Sequence, residues 1–253
     1  MKRHFIDNYI INPTHPVTIM LIGCGGTGSQ VLTSLARINQ TLIALGHPGI
    51  HVTAVDDDVV TEANIGRQLF SESDLGLNKA TVLISRINRF FGTGWIDIPT
   101  RYDNISLCNI IITCVDNIDT RVLLSKYLKD IKGKFYYPYM KPLYWLDFGN
   151  TADSGQVVLG TVSEVKQPKS KKFKVVTELP LVTDMFDFST IDEKDSGPSC
   201  SLAEAIDKQD LFINSTLAQL GCNLLWKMFR EGMISYSGLF LNLRTMKVNP
   251  IKL

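Results

Sequence analysis

The run Gly23-Cys24-Gly25-Gly26-Thr27-Gly28 separates a short apolar segment, Val17-Thr18-Ile19-Met20-Leu21-Ile22, from a stretch whose apolar residues Val31, Leu32, Leu35, Ala36 and Ile38 recur at helical spacing. Strand, glycine turn and helix in that order open a βαβ unit. Glycine lets the backbone turn tightly and come close to a phosphate, and the free N–H groups of the helix start then face the anion. Gly23, Gly25 and Gly28 fit the G-x-G-x-x-G spacing, with Gly26 inside it, so a nucleotide is the first expectation. A plain tight turn between a buried strand and a helix has the same spacing, which leaves the decision to residues downstream.

A second strand follows. Gly46-His47-Pro48-Gly49 breaks the chain, and Ile50-His51-Val52-Thr53-Ala54-Val55 is alternating and β-branched. It ends in Asp56-Asp57-Asp58. A carboxylate at this place in a dinucleotide fold accepts both ribose O–H groups, which makes Asp56 the ribose candidate. Its distance from the glycines exceeds the usual ~20 residues, because the segment around Thr41 to Gly49 reads as a helix extension and a loop. A solvated turn of three aspartates is the alternative.

Next comes a polar cluster, Asn64, Arg67, Gln68 and Lys79, in which Asp74 or Asn78 can cap the helix that carries Val82, Leu83, Ile84 and Ile87. A simple nicotinamide site needs no such cluster after its second strand. A triphosphate that gathers charge during reaction does. A solvated loop and helix start would also hold such residues. Further on, Asn109–Val115 reads as a buried strand ending in Asp116-Asn117. Ligand chemistry in open α/β sheets sits at the carboxyl ends of such strands, and a carboxylate is a suitable hard ligand for magnesium. Capping of the helix Ile118–Leu128 is the other role open to this pair.

These residues bring the chain close to a known family. The glycine loop, Asp56, Asn64-x-x-Arg67-Gln68, Lys79 and Cys114-x-Asp116-Asn117 resemble the adenylating domain of the ThiF/MoeB/E1 superfamily. The resemblance implies ATP-dependent activation of a carboxylate, the C-terminus of a small ubiquitin-like protein, with pyrophosphate released. It implies that Arg67 and Lys79 act on the phosphates, that Asp116 handles Mg2+, and that the protein is a homodimer. Within the superfamily, Pro198-Ser199-Cys200-Ser201-Leu202-Ala203-Glu204-Ala205 and Asn214-Ser215-Thr216-Leu217-Ala218 resemble the ThiF-related proteins of PRTRC cassettes. The region of Cys200 resembles the crossover segment in which several members carry a catalytic cysteine. A cysteine just before a helix has its pKa lowered by the amides there, and a buried small residue is the bland reading. Two family features are absent: the paired C-x-x-C zinc motifs, and an R-Y-x-R-Q arm before the first strand, where Arg3 is the one arginine available.

The rest of the chain fills in an α/β fold, a Rossmann-like, mainly parallel sheet flanked by helices with a β-extension and a crossover loop. Residues 1–253 read as one adenylation domain, with 1–16 a polar, irregular arm and 162–200 a mobile crossover segment. Trp95–Ile98 and Lys134–Tyr137 read as strands. Tyr144–Asn150 and Gly155–Gly160 read as two strands joined by a polar turn, in the place where the family receives its protein substrate. Lys166, Lys169, Lys171, Lys172 and Lys174 form a solvated basic stretch, with docking of an acidic partner as a weaker option. Leu211–Phe229 is a buried helix holding Cys222, and Gly238–Ile251 a terminal hairpin. Cys24 and Cys114 read as structural.

Composition narrows the partners. Twenty-six Lys and Arg against 25 Asp and Glu leave a formal net charge of +1, which makes no electrostatic case for nucleic acid or an anionic membrane. No apolar run is long enough to span a bilayer, and the basic N-terminus is not followed by a signal-peptide core. Five scattered cysteines without a C-x-x-C pair suit a reducing cytoplasm. Three other functions share part of the pattern: an NAD-linked oxidoreductase, which leaves Arg67, Lys79 and Asp116 unused; adenylation of a small molecule or a tRNA base; and a non-catalytic nucleotide-binding scaffold.

Overall fold

The computed structural model describes residues 1–102, 107–131, 135, 137–188 and 209–253. Its centre is β2 (Val17–Ile22), which pairs in parallel with β3 (Ile50–Val55) on one side and β5 (Ile110–Thr113) on the other. β4 (Ile96–Ile98) extends the sheet beyond β3, and β6 (Tyr144–Asn150) extends it beyond β5, both in parallel. β2 and β5 are apolar almost throughout because both faces are covered. Ile19 and Leu21 enter one core, and Met20 and Ile22 the other.

The chain runs outward from β2 through β3 to β4, then returns to β5 beside β2 and leaves in the opposite direction. The topological switch point therefore lies between β2 and β5, the place where open α/β sheets bind ligands. α2 (Gly26–Ala44) starts at the end of β2. α3 (Lys79–Phe91) is capped by Asn78, whose Oδ1 accepts from the Thr81 N–H. α4 (Ile118–Asp130) is capped by Asn117, whose Oδ1 accepts from Thr120. Of the candidate caps, the asparagines fill the role, and Asp116 stays free of it.

Beyond β6 the sheet turns antiparallel through β7 (Ser154–Thr161), β10 (Tyr236–Asn242) and β11 (Lys247–Lys252). α6 (Ile213–Glu231) packs on the α2 face and buries Leu217, Ala218, Cys222, Leu225 and Met228.

Three expectations need correction. Phe135 and Tyr137 belong to no strand, while Lys134 and Tyr136 lie outside the described residues. The parallel neighbour of β5 is instead Tyr144–Asn150, the segment expected to begin the β-extension. Its fully buried Tyr144, Trp145 and Phe148 suit a strand covered on both faces.

Residues 1–16 are not an irregular arm. β1 (Lys2–Phe5) pairs with β8 (Lys174–Val175) and β9 (Met233–Ile234), and α1 (Asn8–Ile11) follows. His4 and Ile10 are fully buried. Partners so distant in sequence leave no local periodicity to read.

Within 162–188, Val162, Val165, Leu179, Leu181 and Val182 are buried, and α5 (Val182–Met185) forms, so this part of the crossover segment is folded against the sheet. Its lysines are exposed, as the composition of the stretch suggested.

Candidate nucleotide site

The glycine loop is shaped by contacts across the switch point. Gly23 has φ +91°, a conformation that favours glycine, and a Cβ there would stand 2.7 Å from the Cys114 carbonyl oxygen at the end of β5. A Cβ on Gly28 would meet the Gly23 carbonyl at 1.9 Å, and one on Gly26 would meet the Asn214 side chain. Gly25 differs. The nearest atom to its absent Cβ is Gln68 Oε1 at 3.9 Å, so protein packing does not demand glycine here. The open space lies at the start of α2, whose first N–H groups have no helical partner.

Asp56 closes one side. Its Oδ2 accepts from the Cys24 N–H at 2.5 Å, and its Oδ1 from the Asp58 N–H at 2.9 Å. The carboxylate thus ties the end of β3 to the glycine loop. Burial pushes its pKa up, and these hydrogen bonds pull against that shift. Lys79, at the first turn of α3, is buried, and its Nζ lies 2.7 Å from Asp58 Oδ2. Asn64 is buried too, but its side chain accepts from the Thr61 N–H and hydroxyl. In this structure it shapes the loop carrying Arg67 and Gln68.

Two polar atoms of that loop are buried without partners: Arg67 Nε, a donor, and Gln68 Oε1, an acceptor. Unpaired buried groups cost free energy unless something satisfies them. A phosphate on the donor and an N–H or O–H on the acceptor would do so, and the donor set fits a nucleotide. Burial also lowers the Arg67 pKa, though guanidinium stays charged at any physiological pH.

On the far side of the switch point Asp116 is exposed at the end of β5. Its loop is held from beneath by Arg121, whose guanidinium donates to Val115 O at 2.8 Å, Asn117 O at 3.3 Å and Phe148 O at 2.9 Å. Among the described residues, the carboxylates close enough to share a cation are Asp56, Asp57 and Asp58, not a set containing Asp116. Asp56 and Asp58 are already engaged as stated. Cys200 lies outside the described residues. Cys24, Cys108 and Cys222 are buried, and burial pushes the thiols of Cys108 and Cys222 up to about 12 and that of Cys24 upward, which suits structural roles.

The site also gathers residues whose role there was not legible in the sequence. Asn214 Oδ1 accepts from the Thr27 hydroxyl at 2.9 Å, and its Nδ2 donates to Gln209 Oε1, also at 2.9 Å. Gln209 Oε1 in turn accepts from Arg67 Nη1 at 2.5 Å. Asn150, at the end of β6, lies against the same Thr27 and Asn214. Arg3, by contrast, stacks on Phe173. The next residue, His4, bonds to Tyr144 at the start of β6, so Arg3 sits at the end of the sheet opposite to its own glycine loop.

The ThiF family profile matches residues 14–252, from just before β2 to the penultimate residue of the chain. The chain belongs to the ThiF family. Solved structures of similar fold include E. coli MccB with MccA-N7isoASN (TM-score 0.61, 16% identity, 93% of this chain and 64% of that one). They also include E. coli MccB with ATP (TM-score 0.59, 16% identity, 93% and 63%), and PaaA (TM-score 0.59, 13% identity, 93% and 64%). This ThiF-family chain thus spans less than two thirds of the length of those proteins. No curated protein matches its sequence significantly.

Proposed function

We propose that this chain is an ATP-dependent adenylyltransferase, which activates a carboxylate and releases pyrophosphate, and that the carboxylate is the C-terminus of a small ubiquitin-like protein. The observation that carries the reading is the orphaned pair Arg67 Nε and Gln68 Oε1, on a loop whose Gln68 amide lies beside the open face of Gly25, together with the buried Lys79 at the start of α3. Membership in the ThiF family supports it, as does the similar fold of MccB, a protein solved with ATP.

In this reading the loop amides at Gly25 and Gly26 receive the phosphates, and the ribose lies against Asp56. Arg67 and Lys79 supply fixed positive charge where negative charge spreads in the transition state, the arrangement that contributes most to such reactions. Asp116 would hold Mg2+, which supplies further charge neutralisation on the phosphates when bound. Cys200 would take the acyl group from the adenylate as a thioester, its thiolate attacking the acyl carbon while the acyl–phosphate bond breaks and AMP leaves. The homodimer belongs to the proposal as well, since Arg3 does not reach the phosphates of its own chain.

The test is ATP–pyrophosphate exchange with Mg2+ in the presence of small proteins encoded beside the gene. Exchange that depends on one of them and disappears in Asp116→Ala supports adenylation. ATP binding without exchange for any candidate would favour the nucleotide-binding scaffold instead.

A further inference from the structure

Arg67 stands on the loop between β3 and α3, and the residue that fixes its guanidinium comes from the other end of the chain. Gln209 Oε1 accepts from Arg67 Nη1 at 2.5 Å and from Asn214 Nδ2 at 2.9 Å. Asn214, only 3% exposed, is locked by the Thr27 hydroxyl and crowds Gly26 of the glycine loop. One chain of hydrogen bonds therefore runs from Arg67 through Gln209 and Asn214 to the loop proposed to cradle the phosphates.

We infer that Gln209 is a positioning residue for Arg67, holding Nη1 so that the remaining Nε edge of the fork faces the phosphate site. The inference rests on the nucleotide reading above and names a residue that this reading does not require.

Two physical points carry it. The first is geometric. A guanidinium grips a phosphate best through two parallel N–H bonds. With Nη1 bound to Gln209, the edge left over is the one containing the buried, partnerless Nε. The second is electrostatic. Among the described residues no carboxylate pairs with Arg67; the described ion pairs involve Lys79, Arg86, Arg121, Lys129 and Arg244. A neutral amide oxygen orients the cation without cancelling its charge. A carboxylate in the same place would orient it equally well and neutralise it.

The experiment compares the binding of ATP–Mg2+ and of adenosine by calorimetry, in the full chain. Gln209→Ala should weaken ATP roughly five- to tenfold, about the net size of one ordinary hydrogen bond, since the phosphate contacts themselves remain, and leave adenosine unchanged. Gln209→Glu keeps the shape and the bond to Asn214, so it should fold normally; it should weaken ATP at least as much, because its charge opposes the phosphates. Arg67→Ala should weaken ATP further, and Arg67→Ala with Gln209→Ala should be no worse than Arg67→Ala alone.

An unchanged ratio of ATP to adenosine affinity in Gln209→Ala, a gain in ATP affinity, or additive losses in the double variant would overturn the inference while leaving the nucleotide site intact. A wild-type protein that binds ATP no better than adenosine would overturn both.

Discussion

Arg121 Nε lies 2.8 Å from Asp147 Oδ1, with the two side chains 6% and 1% exposed. The same carboxylate oxygen accepts from the Thr113 hydroxyl at 2.6 Å, and that hydroxyl accepts from the Trp145 indole. Arg121 is thereby fixed under the ends of β5 and β6, and its remaining donors hold the backbone on either side of Asp116.

Breaking this pair should be costly, because removing one partner strands the other as an uncompensated buried charge. Arg121→Met should lower the unfolding free energy by about 3–5 kcal/mol, and Asp147→Asn, which keeps the shape, by less. Urea denaturation of both variants measures the difference; a loss in Arg121→Met below that of Asp147→Asn would contradict the account.

Lys79 is held by Asp58, an exposed carboxylate that a phosphate can replace. Lys79→Ala should weaken ATP binding by roughly tenfold, as expected for loss of a charge-assisted hydrogen bond, with an unchanged circular dichroism spectrum. Asp58→Asn should modestly tighten ATP by removing a competing anion. Titration calorimetry checks both, and equal ATP affinity in wild type and Lys79→Ala would remove Lys79 from the site.

The glycines of the loop should separate into two classes. Gly28→Ala puts a methyl group on the Gly23 carbonyl and should abolish stable folding. Gly25→Ala meets nothing closer than a side-chain amide at 3.9 Å, so it should fold and lose nucleotide affinity. Thermal melts alongside ATP titrations distinguish the classes, and a Gly25→Ala protein that binds ATP normally would show that the open face is not used.

His4 should make stability depend on pH. Its ring is fully buried and bonds to the Val176 carbonyl and the Tyr144 hydroxyl. Burial holds its pKa below the usual 6.5, against the opposing pull of the Val176 bond. The folded state therefore binds the proton less readily than the unfolded state. Stability is complete above pH 6.5 and falls as pH drops below it toward the folded pKa. His51, also lowered by burial, adds a contribution of the same sign. The melting temperature should fall between pH 7.5 and pH 5, and His4→Gln should flatten that slope without removing it.

Much of the sheet was legible in the sequence. Val17–Ile22, Ile50–Val55 and Ile110–Thr113 are β-branched or apolar runs bounded by breakers, and each forms a parallel strand. Tyr144–Asn150 was legible as a strand but not as a parallel one, since pairing direction depends on a neighbour that local pattern does not contain. β1 and β8 leave no local signature for a similar reason. They are short, and they pair across more than 170 positions through registers such as Lys2 with Lys174.

The amino-acid sequence by itself determined the glycine loop, the acidic end of the second strand, the narrow choice of caps (Asp74 or Asn78, Asp116 or Asn117), and the order of Asn64, Arg67, Gln68 and Lys79. These depend on backbone conformation and on neighbours a few residues away, so they leave a local pattern. Only the tertiary structure decided that Asp56 is bonded to the Cys24 amide, that Arg121 and Asp147 brace the Asp116 loop, and that Gln209 and Asn214 reach Arg67 and Gly26 from the start of α6. Those contacts arise because the chain leaves the sheet centre in one direction and returns in the other, which brings together residues 26 positions apart, such as Arg121 and Asp147, and 142 apart, such as Arg67 and Gln209.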